Sequence, residues 1–493
     1  MNCMRALKIG LAALLAGTTL SPSLTMAAPP QPKAAPAERQ SEARPNVVVI
    51  LVDDLAWTDV SANGASTIQT PNIDAIGAAG ATFSSGYVTA SVCSVSRAGL
   101  LSGRNPTTFG FMYNITERGA VDKGAGLPVD VPTLAERLKP LGYDTAVFGK
   151  WHQGSTPEFY PTRRGFDEFF GFLAGESIYA TPDTPGIVTT PTSFDKYQPK
   201  EREGAQRLFQ GPDMEPVAQP HKYLTEEITE HAVDFIDRKA DGKDPFFLYV
   251  AYNAPHWPLQ VPRTYYDRHS EIADPARRTY VAMIDALDAG VGQILKALDD
   301  KGLREDTLVV FLSDNGCPVQ FGYCTQTHPW GGGKFTYLEG GMRVPFMASW
   351  PGHIAAGQRI ATPVSSLDIV PTVLEAVSPG KTLPEELDGV DLLDTLAGTA
   401  PKERSFIWDQ RPVQALRHGR YKLWRSLDWK QTRLYDIEAD PWERTDLSAK
   451  LPKVTAKLVR ELDKFDAALP EPMWPVHSTR EIDVIGRKTE FVY

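Results

Sequence analysis

The chain has 493 residues, 42% hydrophobic, 23% charged and 10% aromatic, which excludes a disordered, collagenous or disulfide-scaffold protein as the dominant state. It is long enough for one large domain with a satellite. With 51 basic and 61 acidic residues the net charge is −10, which argues against non-specific nucleic-acid binding but permits a local basic pocket. Cysteines occur only at Cys3, Cys93, Cys317 and Cys324.

Residues 1–27 read as a secretory signal peptide. Arg5 and Lys8 form a basic start, Ile9–Leu20 is apolar but short for a bilayer span, and Thr25, Ala27 and Ala28 offer a cleavage site. The other reading is an uncleaved anchor helix. Cleavage removes Arg5, Lys8, Cys3 and no acid, leaving a net charge of −12 and three cysteines in an oxidising compartment. The expected location is periplasmic or secreted, with no membrane insertion after cleavage. Residues 28–45, rich in Pro, Ala and charge, read as a linker.

Continuous apolar runs at Asn46–Val52, Thr145–Phe148, Phe246–Tyr252 and Leu308–Leu312 predict strands buried on both faces. Helical periodicity lies between them at Asn72–Ala79, Val131–Leu138, Tyr223–Arg238 and Ala276–Asp299. The alternation predicts an α/β domain over 46–400, with a large, mostly parallel central sheet flanked by helices. Residues 181–221, rich in Pro, Thr and Gly, read as a surface excursion that either shapes access to a site or is a plain insertion. From 401 to 493 short aromatic segments with turn signals predict a small α+β subdomain. It has a short antiparallel sheet and a helix near Lys453–Leu469.

Each chemistry-bearing cluster directly follows a predicted strand, where open α/β sheets bind ligands. Asp53-Asp54 follows the first strand, Lys150-Trp-His152 the second, His256 the third and Asp314-Asn315 the fourth. Adjacent carboxylates repel unless neutralised, and four oxygen-bearing side chains suit a hard divalent cation. Either pair alone reads equally as turn chemistry. Alone, His256 reads as a packed loop histidine, and Lys150 or Lys334 as a solvated charge.

Cys93 precedes a short predicted helix that Gly103 stops, so it lies where free N–H groups favour an anion, with Arg97 on the same face. The phosphatase spacing C-x5-R fails, because the sixth residue after Cys93 is Gly99. The plainer alternative is a buried structural thiol.

Cys93-Ser-Val-Ser-Arg97 with Leu100-Leu-Ser-Gly-Arg104 resembles the signature of type I sulfatases, in the alkaline-phosphatase-like superfamily. The resemblance continues in order through Asn46–Asp54, Gly149–His152, Ala254–Pro258, Ser313–Gly316, Lys334, Glu339–Pro345, Arg417–Leu423 and Leu434–Pro441, and covers roughly 46–470. It implies that a formylglycine-generating enzyme converts Cys93 to formylglycine, whose hydrated form attacks sulfur. It also implies that Asp53, Asp54, Asp314 and Asn315, with the modified Cys93, hold one calcium ion rather than magnesium. Arg97, Lys150 and His152 would then hold the nucleophile, while Lys334 and His256 bind sulfate, with His256 as general acid. Val95 stands where the family motif carries Pro or Ala. An unconverted Cys93 would be an acidic thiol beside Arg97, slow toward sulfate esters.

With Cys93 committed to catalysis, Cys317 and Cys324 remain as an even pair in an exported chain, and a local disulfide is expected there, two free thiols being the alternative. His328–Gly333, Trp257 and Arg104 are expected at the pocket wall, for a sulfated carbohydrate or aryl sulfate. The expected activity is hydrolysis of sulfate monoesters. The competing readings are a phosphonate or phosphodiester hydrolase of the same superfamily, and a non-catalytic sulfated-glycan-binding protein.

Overall fold

Asn46–Val52 is buried along its whole length, as a strand apolar on both faces must be. It lies near the middle of a ten-stranded sheet whose strands begin, in spatial order, at Gln358, Ala81, Phe346, Thr307, Asn46, Phe246, Asp144, Glu168, Phe209 and Glu215. The central five, from Thr307 to Glu168 in that order, are parallel. Phe346–Ser349 runs antiparallel between two neighbours, and the far edge from Phe209 is also antiparallel. The computed structural model describes residues 44–493 apart from 66, 117–123, 182, 193–200, 218–221, 325–328, 400–401 and 484–487. The signal peptide, nearly all of the linker, and His328 therefore lie outside the described residues.

Alternate side chains of the first strand feed two cores. Val48, Ile50 and Val52 pack with helices Leu224–Lys239 and Pro275–Asp300. Val47, Val49 and Leu51 pack on the other face with Leu100, Leu101, Leu134, Val370 and Val373. The sheet is thus covered by helices on both sides, as predicted. Short strands such as Ala81–Phe83 carry no readable period and were not predicted, and the helix Ile369–Val377 was not predicted either. Pairing matches Val52 with Ser313, Leu51 with Ala251, and Gly149 with Ala251. The carboxyl ends of four strands therefore sit side by side, which brings together residues far apart in sequence.

Two predicted helices have different starts. Val131–Leu138 is helical only over Leu134–Leu138, because Thr133 and Glu136 close a capping box there. The cysteine helix runs over Cys93–Ser102, one turn earlier than its apolar pattern indicates, and ends where Gly103 takes φ 70°. Among the described residues, no helix is long and apolar enough to cross a membrane.

Ser405–Gln410, Val413–His418, Tyr421–Ser426 and Gln431–Asp436 form a second, antiparallel sheet in chain order. One face takes Leu458 and Leu462 of helix Pro452–Asp466; the other packs Trp408, Ala415 and Trp424 against Tyr87, Val95 and Met342 of the main body. The two parts are also tied by a buried charge network. Lys422 Nζ lies 3.0 Å from both Glu339 Oε1 and Glu443 Oε1, all three side chains fully buried. Tyr87 donates to Glu339 and accepts from Arg417. Burial alone would raise the Glu339 carboxyl; Lys422, Arg343 and Arg417 hold it below the usual carboxylate range instead.

Removing the cation from such a network strands two buried carboxylates. Lys422→Met should lower unfolding free energy by about 3–5 kcal/mol. Urea denaturation checks this, and an unchanged midpoint would mean the network contributes nothing to holding the second sheet.

Candidate active site

Asp53 and Asp54 emerge directly from the central strand into a fully buried position. Asp54 takes φ 67° and His152 φ 56°, left-handed backbone that non-glycine residues adopt at a cost and that only a rigid surround maintains. Gly149, before Lys150, approaches the next strand so closely that a Cβ would meet the Ala251 carbonyl at 2.0 Å.

Cations from separate elements surround the carboxylates. Lys150 Nζ donates to Asp53 Oδ2 at 2.6 Å, and Arg97 Nη2 lies 3.8 Å from the same oxygen. Arg97 Nε donates to Asp314 Oδ2 at 2.8 Å and Nη1 to the Lys150 carbonyl at 2.9 Å. Lys334 Nζ is 2.7 Å from Asp54 Oδ1, and His256 Nε2 is 3.6 Å from Asp54 Oδ2. Burial would raise the Asp53 carboxyl, but Lys150, His256, Arg97 and Lys334 together hold it well below the ordinary range. Asp314 goes the other way: burial and the Asp53 charge push it up to about 7 despite Arg97 and Lys150.

Cys93 sits at the first position of its helix, and its Sγ donates to Asp53 Oδ1 at 3.4 Å. Burial, reinforced by the Asp53 charge, pushes the Cys93 thiol up. The acidic thiol expected for an unconverted cysteine is therefore corrected. Full desolvation and a neighbouring carboxylate outweigh the Lys150 and Lys334 charges.

The two histidines present different nitrogens. His152 Nε2 donates to the Ile115 carbonyl at 2.7 Å, so its buried Nδ1, partnerless among the described residues, is an acceptor. Burial and then Lys150 hold His152 well below the usual histidine range, hence neutral. His256 Nδ1 donates to the Trp257 carbonyl, which turns Nε2 toward the carboxylates. Burial lowers this imidazole too, opposed by Asp53 and assisted by Lys334.

Asp53, Asp54, Cys93 and His256 offer ligand atoms that all lie within 4.8 Å of one another. Asn315 donates Nδ2 to Asp54 Oδ1 at 2.6 Å, leaving its Oδ1 buried without a partner among the described residues. An orphaned amide oxygen beside three buried aspartates is the donor set a hard divalent cation accepts. The residues fit such an ion. Asp314 stands apart from the tight group, its carboxylate taking Arg97 Nε and, at 3.3 Å, the Asp54 amide.

Cys93, His152, His256 and Lys334 line a cavity of about 560 Å³. Trp257 lines it as expected, but Trp330 and Arg104 do not. Trp330 packs edge-on to Trp57 at 5.3 Å under the Arg343 guanidinium, and Arg104 lies over Phe109, so packing claims both. Glu203–Gln206 bring part of the 181–221 excursion to the wall. Cys317 and Cys324 are joined in a disulfide just beyond Asn315, their Cα atoms 6.1 Å apart.

Sequence reasoning did not find Asn114 and Gln153, which hold the cysteine helix. Asn114 Oδ1 accepts from the Ser94 amide at 3.0 Å and the Ser94 hydroxyl at 2.9 Å, while Gln153 Nε2 donates to the Ser94 carbonyl at 2.9 Å. Neither sits at a strand end with a charge to mark it. Gln153 is adjacent in sequence to His152, which is the one signal that marks it; Asn114 left none.

Residues 45–379 match the sulfatase family, and residues 327–468 match the family described as N-sulphoglucosamine sulphohydrolase, C-terminal. The chain is 34% identical over 412 residues to arylsulfatase G of Rattus norvegicus, covering 77% of this chain and 75% of that protein. It is 35% identical over 393 residues to N-acetylgalactosamine-6-sulfatase of Mus musculus, covering 77% and 72%. The crystal structure of Ps i-CgsB in complex with k-i-k-neocarrahexaose superposes with a TM-score of 0.78 at 33% identity, covering 87% of this chain and 94% of that one.

Asn114→Ala would leave the Ser94 hydroxyl and the Ser94 N–H, in the first turn of the cysteine helix, buried without their acceptor. A stability loss of about 1–3 kcal/mol is expected in chemical denaturation, with a lower kcat on a sulfate ester. Unchanged stability and kcat would remove Asn114 from any part in placing Cys93.

Proposed function

The chain belongs to the sulfatase family of sulfuric ester hydrolases; we propose that it removes sulfate from sulfated carbohydrates and, on the signal-peptide pattern of residues 1–27, that it is exported. The observation that carries the reading is Cys93 at the buried start of its helix, on the floor of a cavity, with Asp53, Lys150 and Arg97 grouped around it. The carbohydrate follows from the relatives, one named for N-acetylgalactosamine-6-sulfate and one bound to a neocarrahexaose. In this reading residues 1–27 direct export, 46–400 are the catalytic domain and 401–493 the subdomain that supports it.

A formylglycine made from Cys93 would supply a hydrated aldehyde as nucleophile, and one calcium ion held by Asp53, Asp54, Asp314 and Asn315 would neutralise sulfate oxygens. The chain's own groups do the rest. Lys334, kept charged by Asp54 despite its burial, binds a sulfate oxygen at the cavity floor. Arg97 and Lys150 fix the orientation of residue 93 through Asp53 and Asp314. His152 offers the free Nδ1 as an acceptor for a hydroxyl proton beside residue 93. His256 donates from Nε2 to the leaving oxygen, a role that needs the imidazolium. An arriving sulfate anion favours that form, against the effect of burial.

Mass spectrometry of the peptide containing residue 93, from the native host, should show a loss of about 18 Da, the replacement of a thiol by an aldehyde oxygen. Cys93→Ala should abolish turnover of aryl sulfate with its fold intact. An unshifted peptide with full activity would overturn the formylglycine, and a strong preference for a phosphodiester would overturn the sulfatase substrate.

Adding calcium to the chelated protein should raise the melting temperature by several degrees, since an ion bound only by the folded state stabilises it. A melting curve indifferent to calcium would remove the metal site.

A further inference from the structure

We propose that Arg480 forms a subsite for a second anionic substituent of the substrate, a sulfate or carboxylate other than the one removed; the inference rests on the sulfated-carbohydrate reading. The other cations near Cys93 already have tasks at the reacting centre: Lys334, beside Asp54, serves the sulfate that is removed, and Lys150 and Arg97 pair with Asp53 and Asp314. Arg480 lines the same cavity, is exposed, and is ion-paired with no carboxylate among the described residues. Its charge is therefore available to a ligand.

Its position is set by stacking. The Arg480 guanidinium carbon lies 4.4 Å from the Phe491 ring centroid, Phe491 lies 4.5 Å from Phe335, and Lys334 Nζ lies 5.2 Å from Phe335. Two rings thus link the floor lysine to the wall arginine, and Tyr493 buttresses Phe335 at 5.3 Å. Arg480 and Phe491 face each other across the strand pair Thr479–Asp483 and Lys488–Val492, where they are register partners. A guanidinium held against a ring keeps its edge donors for the forked geometry that sulfate and carboxylate share, and loses less freedom on binding than a loose side chain. Glu203 also lines the cavity and disfavours an anion beside it. Extra negative charge on the substrate is therefore favoured at Arg480.

The test uses the active enzyme and its Arg480→Ala and Arg480→Lys variants. The substrates are 4-nitrophenyl sulfate and matched oligosaccharides carrying one or two sulfates. For the disulfated oligosaccharide, Arg480→Ala should raise KM by roughly 10-fold or more with kcat within about twofold, and Arg480→Lys should recover much of the loss. kcat/KM on 4-nitrophenyl sulfate should stay within about twofold, because that substrate has no second anion to lose. Equal losses on every substrate, or none on the disulfated one, would overturn the subsite. Calorimetric binding of the disulfated oligosaccharide to Cys93→Ser protein, with and without Arg480→Ala, reads the subsite apart from turnover. A fall of roughly 10-fold in affinity is expected, and an unchanged affinity overturns it. Arg480-dependent binding by an enzyme that hydrolyses none of these sulfates would sink the proposed function and leave the subsite standing.

Discussion

Two adjacent carboxylates, Asp53 and Asp54, are carried at the end of the central strand into a region without solvent. Left alone there they would be driven to protonate, because neither water nor a neighbour would share their charge. Most of the site's arrangement answers this constraint. Lys150 comes from the next strand but one, Arg97 from a helix on one face, Lys334 from a long connection, and His256 from the loop after a third strand. The parallel register that sets those strand ends level is what allows the charges to converge. The chain's overall acidity has no bearing on this balance, which is settled within a few ångströms.

The arrangement is stiff where the chemistry is and adaptable around it. Asp54 and His152 hold backbone conformations that an unsupported chain would leave, and the cysteine helix is pinned at its first turn by Asn114 and Gln153. Charges held in fixed positions act most strongly on an arriving sulfate. The cavity wall, by contrast, is built from an edge excursion, a loop tryptophan and a hairpin near the carboxyl end.

Legibility in the sequence followed the same division. Strands such as Asn46–Val52 and Phe246–Ala251 could be read because burial on both faces demands unbroken apolar runs. Asp53, Lys150, His256 and Asp314 could be read because polar groups directly after such runs have few other reasons to be there. Short antiparallel strands like Ala81–Phe83 could not, since three residues carry no period. Arg480 was invisible for a different reason: its neighbour Phe491 is supplied by pairing across a hairpin, and nothing in the intervening residues marks it. The tryptophan at 330 misled because an aromatic beside glycines suits a wall and a core equally, and only packing decides.

The buried lysine shared by Glu339 and Glu443 has a consequence for how such proteins can diversify. Glu339 opens the short helix that closely follows Lys334, so the second sheet is wired into the loop that supplies a floor cation. The carboxyl-terminal region is therefore not a cassette to be exchanged between relatives at a junction just before the strand Ser405–Gln410. A chimera joined there would pair a foreign strand with Glu339, and would keep its floor intact only if the donor carried a cation at the place of Lys422. Inheritance of the two regions is coupled by a single ammonium group. The hairpin beyond it, which lies outside that network, is free to drift toward new ligands.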